Sequence, residues 1–174
     1  ALQIPLKNLY NHETIYGNTA HVNYTDEEFE KYIYWCTVRG QALNELHLSV
    51  NMMNESKWTS LSEAMNWQKD NFRILKNAQF IGGNPEENNI YGYISWTPEG
   101  EGIIAMRNPN NEETSLTLTF NKLMGTPQSL KGAKCFNVYC KSMPETDETY
   151  DYNSKMDLTM KPFEVMIFKI AKER

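Results

Sequence analysis

The densest run of reactive side-chain types in this chain is Asn11-His12-Glu13-x-x-Tyr16-Gly17, with an amide, an imidazole, a carboxylate and a phenol. Together these groups donate to and accept from hydroxyls, so the run suits a ligand that carries many of them, such as a sugar. Glu13 is read as the one carboxylate at a strand end, where it could act as acid, base or nucleophile. Glycoside hydrolysis needs two carboxyl groups, about 5–5.5 Å apart for retention and about 6.5–9.5 Å for inversion. Glu45 is placed early in its own strand, toward the opposite end of a parallel pair, so no complete catalytic pair is expected and no catalytic residue is assigned. Asn11, His12, Glu13 and Tyr16 remain candidates for substrate binding. The competing reading makes Asn11 and His12 loop caps and leaves Glu13 solvated.

Other chemistries find little support. Ser49 has no Gly-x-Ser-x-Gly elbow and no partnered histidine in evidence. Gly82-Gly83 and Gly100-x-Gly102 read as turns, since neither opens a helix as a phosphate loop does. His12, His21 and His47 show no zinc-type spacing with cysteine, so neither metal nor cofactor is expected. Cys135 and Cys140 are read in one strand, on opposite faces and about 17 Å apart. They and Cys36 are expected to be reduced thiols. Trp58 and Trp67 are expected to seal a helix against its neighbours, and Trp96 to lie in a core.

Two halves with different periods must position these residues. Residues 1–76 alternate strand and helix. The first strand is read over Ile4–Tyr10 and ends at Asn11-His12-Glu13. Thr25-Asp26-Glu27-Glu28 is a capping box that opens a helix over 26–39. Leu43–Ser49 alternates as a second strand, with Leu46 and Leu48 on one face. Ser60-Leu61-Ser62-Glu63 reads as another capping box, for a helix over 60–75. Such β-α-β-α order belongs to a parallel sheet or barrel, and two units cannot close one. Residues 1–76 are therefore read as a remnant of a TIM-type barrel, with Ile4, Leu6, Leu46 and Leu48 lacking partners. The apolar opening Ala1-Leu2-Gln3-Ile4, without an initiator methionine, reads as a start cut from a longer chain.

From Gln79 the period becomes two. Strands are expected at 90–96, 102–107, 115–120, 133–140, 155–160 and 163–170, with a polar loop over 141–154. Short strands divided by Gly, Pro and Asn turns indicate an antiparallel β-sandwich over 77–174. The whole is then α+β: a barrel remnant followed by a sandwich.

The chain has 174 residues, enough to bury a full core, and 40% of them are hydrophobic. Lys and Arg number 17 against 22 Asp and Glu, a net charge of −5. That balance argues against a nucleic-acid partner, which calls for a basic stripe. No run of 18 apolar residues exists, so no membrane span is expected.

A resemblance rests on Pro5-Leu6 with Tyr10-Asn11-His12-Glu13, Val38-Arg39-Gly40-Gln41-Ala42-Leu43-Asn44-Glu45-Leu46, Trp67, Ile81-Gly82-Gly83-Asn84-Pro85, Ile90–Trp96, Gly102–Pro109 and the closing Leu158–Val165. These stretches resemble the C-terminal part of bacterial, Bacteroides-type, α-galactosidase-like (or enterotoxin-like) glycoside hydrolases. The resemblance implies a (β/α)8 barrel whose last two units are residues 1–76, followed by the sandwich. It implies catalytic carboxylates on earlier strands, with no matching position here, so the isolated chain is expected to be inactive. It places Asn11, His12 and Glu13 on a barrel loop facing a carbohydrate, and Arg107-Asn108-Pro109 in a structural turn. It also implies a periplasmic or extracellular location, and the exposed remnant face implies a dimer. The rival readings are a carbohydrate-binding sandwich module and a purely structural domain.

Overall fold

The computed structural model describes residues 4–16, 23–40, 43–139 and 147–172, with the side chains of 11–15 outside that description. Cys140 and residues 141–146 of the expected polar loop also lie outside it. The chain divides into two compact units, Ala1–Lys76 and Asn77–Arg174.

The first unit runs β1 (Tyr10–Tyr16), α1 (Asp26–Thr37), β2 (Leu43–Leu48), α2 (Glu55–Leu75), and β1 and β2 pair in parallel. The strand read over Ile4–Tyr10 is instead a 3-10 turn at Leu6–Asn8, and the strand begins where it was expected to end. Pro5 explains the shift: it has no N–H for a ladder, and its carbonyl accepts from Asn8 N at 3.0 Å, which closes a turn. The run that follows holds Tyr10, Thr14, Ile15 and Tyr16, aromatic and β-branched types that suit a pleated surface.

α1 starts as its capping box requires. Thr25 accepts from Glu28 N at 3.2 Å, and the Glu28 carboxylate accepts from Thr25 N at 2.8 Å. α2 starts five residues before the expected Ser60, because Asn54 caps it by accepting from Lys57 N at 2.9 Å. The core of this unit is Tyr16, Phe29, Ile33, Leu61 and Ala64, with Leu46 and Leu48 partly buried against it. Leu6 is buried too, so of the four residues expected to lack partners only Ile4 is exposed. Among the described side chains of the sheet, Tyr10 and Leu43, paired in register, are the exposed apolar ones. Gln68 ties the layers together, donating to the Thr37 carbonyl at 3.1 Å and accepting from Asn44 Nδ2 at 2.9 Å.

The second unit is an antiparallel sandwich. Its larger sheet has the order β3-β4-β5-β10-β7-β8: β3 (Gln79–Gly82), β4 (Tyr91–Trp96), β5 (Gly102–Arg107), β10 (Val165–Ala171), β7 (Ala133–Tyr139) and β8 (Thr149–Tyr150). β6 (Thr114–Thr119) and β9 (Lys155–Met160) form the second sheet. Period two explains the packing. Ile94, Ile104, Met106, Met166, Phe168 and Ile170 from the larger sheet meet Leu118, Met156, Leu158 and Met160 from the smaller one in a single core. Trp96 lies in that core, its Nε1 donating to the Met124 carbonyl at 3.2 Å. Asn108 is fully buried, and its Nδ2 donates to the carbonyls of Glu112, Met160 and Lys161 at 2.8–3.2 Å. Gly92 lets β4 approach β5: a Cβ there would lie 1.9 Å from the Ala105 carbonyl oxygen.

Candidate functional site

In a parallel β/α layer the strands' C-terminal ends face the N-terminal ends of the following helices, and chemistry collects there. The C-terminal residue of β1 is Tyr16, and of β2 Leu48. Asn11, His12 and Glu13 therefore sit in the N-terminal half of β1, inside the strand and not on a loop after it. The same shift changes their neighbours. Asn11 pairs with Asn44 and Thr14 with Leu46, so the bulge at His12-Glu13 lies level with Glu45. Sequence reasoning had set Glu13 and Glu45 at opposite ends of the sheet, because it began the strand six residues too early. Glu45 stands on the exposed face of β2 with its Oε1 3.5 Å from His47 Nε2. A bulge re-aims the strand locally and is common beside functional sites.

Tyr16 is only 1% exposed. Its ring stacks on Tyr24 at 5.8 Å between centroids and meets the Phe29 ring edge-on at 5.1 Å. The hydroxyl lies 3.3 Å from the Met52 carbonyl and 3.4 Å from Asn23 Oδ1. The phenol is thus a core residue with its polar tip satisfied within this unit.

Beside it is a charged cluster that sequence reasoning missed. Lys57, on the first turn of α2, has a side chain only 8% exposed and places its Nζ 2.6 Å from Asp26 Oδ1 at the start of α1. Asn54 Nδ2 also donates to Asp26 Oδ1, at 2.9 Å, and the Lys57 ammonium lies 6.0 Å from the Tyr16 ring centre. The hydrogen bond from Lys57, reinforced by Asn54, holds the Asp26 carboxyl below its usual range. In return the bond to Asp26 raises Lys57, more than offsetting the effect of its burial. Both groups stay ionised around neutrality and neutralise each other, so the cluster works as a clip between two helix N-termini and not as an acid or base. Its only sequence signal was Asn54 at N-cap spacing from Lys57.

Trp58 points away from this core. It is 44% exposed and does not seal α2 as expected, whereas Trp67 lies 6.3 Å from the Tyr34 ring. Trp58 lines an open groove of about 710 Å³ with Met53, Glu55, Thr59, Ser62 and Glu63. Among the described residues no cluster of His, Cys, Asp and Glu could hold a metal ion, and no helix is long and apolar enough to cross a membrane.

No family model matches the chain, and no curated protein matches it. Its fold does have counterparts among solved structures. A protein of Bacillus halodurans, provisionally assigned as an α-N-acetylgalactosaminidase, superposes with a TM-score of 0.58 at 14% identity, over 87% of this chain and 33% of its own. A GH27 β-L-arabinopyranosidase of Geobacillus stearothermophilus gives 0.56 at 13% identity, over 95% of this chain and 35% of its own. α-Galactosidase I of Mortierella vinacea gives 0.55 at 10% identity, over 84% and 36%. The chain thus spans about a third of the length of each. At these identities the likeness is one of fold, and the fold is that of part of α-galactosidase-like glycoside hydrolases.

Proposed function

We propose that this chain is the C-terminal region of an α-galactosidase-like glycoside hydrolase. In this reading residues 1–76 supply the last two β/α units of a catalytic barrel, and the sandwich packs on that barrel and supports it. One observation carries it: the likeness to the three proteins above runs through 84–95% of this chain while covering about a third of each of them. The catalytic carboxylates then belong to other strands, and this chain alone is catalytically incomplete. Asn11, His12 and Glu13 contribute to sugar binding from β1, and a periplasmic or extracellular location follows from the kinship.

The test is an assay of the 174-residue chain on aryl α-galactosides and aryl β-L-arabinopyranosides. No turnover above buffer is expected, and robust turnover would overturn the incompleteness. Calorimetric titration with galactose probes the binding role. Glu13→Ala and His12→Ala should weaken the sugar at least tenfold; unchanged heats would remove both residues from the site.

A carbohydrate-binding module is the second reading, favoured by aromatic rings on one face of the sandwich. Phe80 on β3 is 43% exposed, 6.0 Å from Tyr91 with planes 22° apart and 6.0 Å from Tyr93. Rings presented this way can stack on the apolar face of a sugar. Under this reading Phe80→Ala, and not Glu13→Ala, abolishes oligosaccharide binding.

A further inference from the structure

The groove on the N-terminal half of α2 is not used by anything above. Residues 55, 58, 59, 62 and 63 follow helical spacing, so their side chains form one continuous surface around Trp58. That surface has a chemical bias. Glu55 and Glu63 bring two carboxylates and no lining residue is basic. Among the described residues neither carboxylate has a hydrogen-bond or ion-pair partner. Thr59 already donates its hydroxyl to the Glu55 carbonyl at 2.9 Å, which leaves its oxygen as an acceptor. Asn54 is committed to the cap and to Asp26. The groove therefore offers an exposed indole face ringed mainly by acceptors and carrying negative charge. The field extends toward α1, where Tyr34 is held above the ordinary phenol range by burial first, and then by Glu63 and Glu30.

We propose that this groove receives an arginine side chain of a partner polypeptide, its guanidinium stacked on Trp58 and its N–H fork shared with Glu55 or Glu63. Charge complementarity selects a cation, and tryptophan is the best aromatic face for one. Among cations, guanidinium matches both demands: it is planar for the ring, presents paired donors to a carboxylate, and is weakly hydrated. A neutral sugar would use the ring but leave the charge uncompensated. The inference is independent of the glycosidase reading, since it concerns a polypeptide contact on α2 and no residue of β1.

The probe is acetyl-Gly-Arg-Gly-amide, followed by the indole N–H resonance of Trp58, which is identified by its loss in Trp58→Phe. The peptide should shift that resonance saturably in the millimolar range at low salt. E55Q/E63Q should weaken the response at least tenfold, as should 0.5 M NaCl, because the pair is exposed and screened. The citrulline analogue, neutral and of the same shape, should be inert. An equal response to citrulline, no response to either peptide, or a shift produced by melibiose but not by the arginine peptide would each overturn the proposal, the last in favour of a glycan surface. Both glutamates are exposed, and unchanged amide dispersion in the double variant verifies that it is folded.

Discussion

At the residue scale, one ammonium holds two helices by their N-terminal ends. Asp26 is lowered in the folded chain, so its contribution to stability is present above the unfolded value near pH 4 and is lost as pH falls through the lowered one. Lys57 is raised, so its contribution is complete below about pH 10 and is lost as pH rises through the raised value. Thermal melts of the parent and of Lys57→Met should therefore differ most between about pH 5 and 9 and converge in acid. A gap that stays undiminished in acid, below the lowered Asp26 value, would remove the ion pair from the account. Asn108 makes a second residue-scale case, because its amide is buried among three carbonyls. Asn108→Ala leaves acceptors unpaired and should cost about 2–3 kcal/mol in chemical denaturation. The resemblance implied a structural Asn108, in keeping with its buried amide, whereas Lys57 was overlooked. A lysine in the first turn of a helix looks solvated until the fold brings an aspartate from 31 positions away.

At the scale of elements, caps decided what could be read. The box at Thr25 was legible because side chain and backbone agree within four residues, and Thr25→Ala should cost about 1 kcal/mol. The same pattern at Ser60 misled, since Asn54 had already opened the helix. Asn54→Ala should accordingly lower stability by about 1 kcal/mol. Glu63→Ala, which would matter if the helix began at Ser60, should change it by less than about 0.5 kcal/mol. Urea titrations of the two variants distinguish the starts. β2, β4 and β6, six residues each, announced themselves by alternation, whereas β3 and β8, four and two residues long, are too short to carry a period. The error at β1 mattered most for the site. The residue types Asn11, His12 and Glu13 were readable as sugar-compatible chemistry, but their depth in the sheet depended on a proline turn that an apolar run concealed.

For the whole molecule, charge and layering set the expectations. With a net charge of −5, the chain should not shift a labelled DNA duplex in 50 mM salt, and a salt-sensitive shift would contradict that reading. Phe168, buried on central strand β10, joins the two sheets of the sandwich, and Phe168→Ala should cost about 3–5 kcal/mol. The parallel pair in the first unit has a different consequence. Among the described residues β1 and β2 form a sheet of two strands, paired with each other. The exposed Tyr10 and Leu43 sit together on that ribbon. Neighbouring apolar side chains left in solvent favour contact with another copy. In a concentrated stock self-association should begin at this apolar spot, and Leu43→Lys should delay the rise in light scattering that reports it.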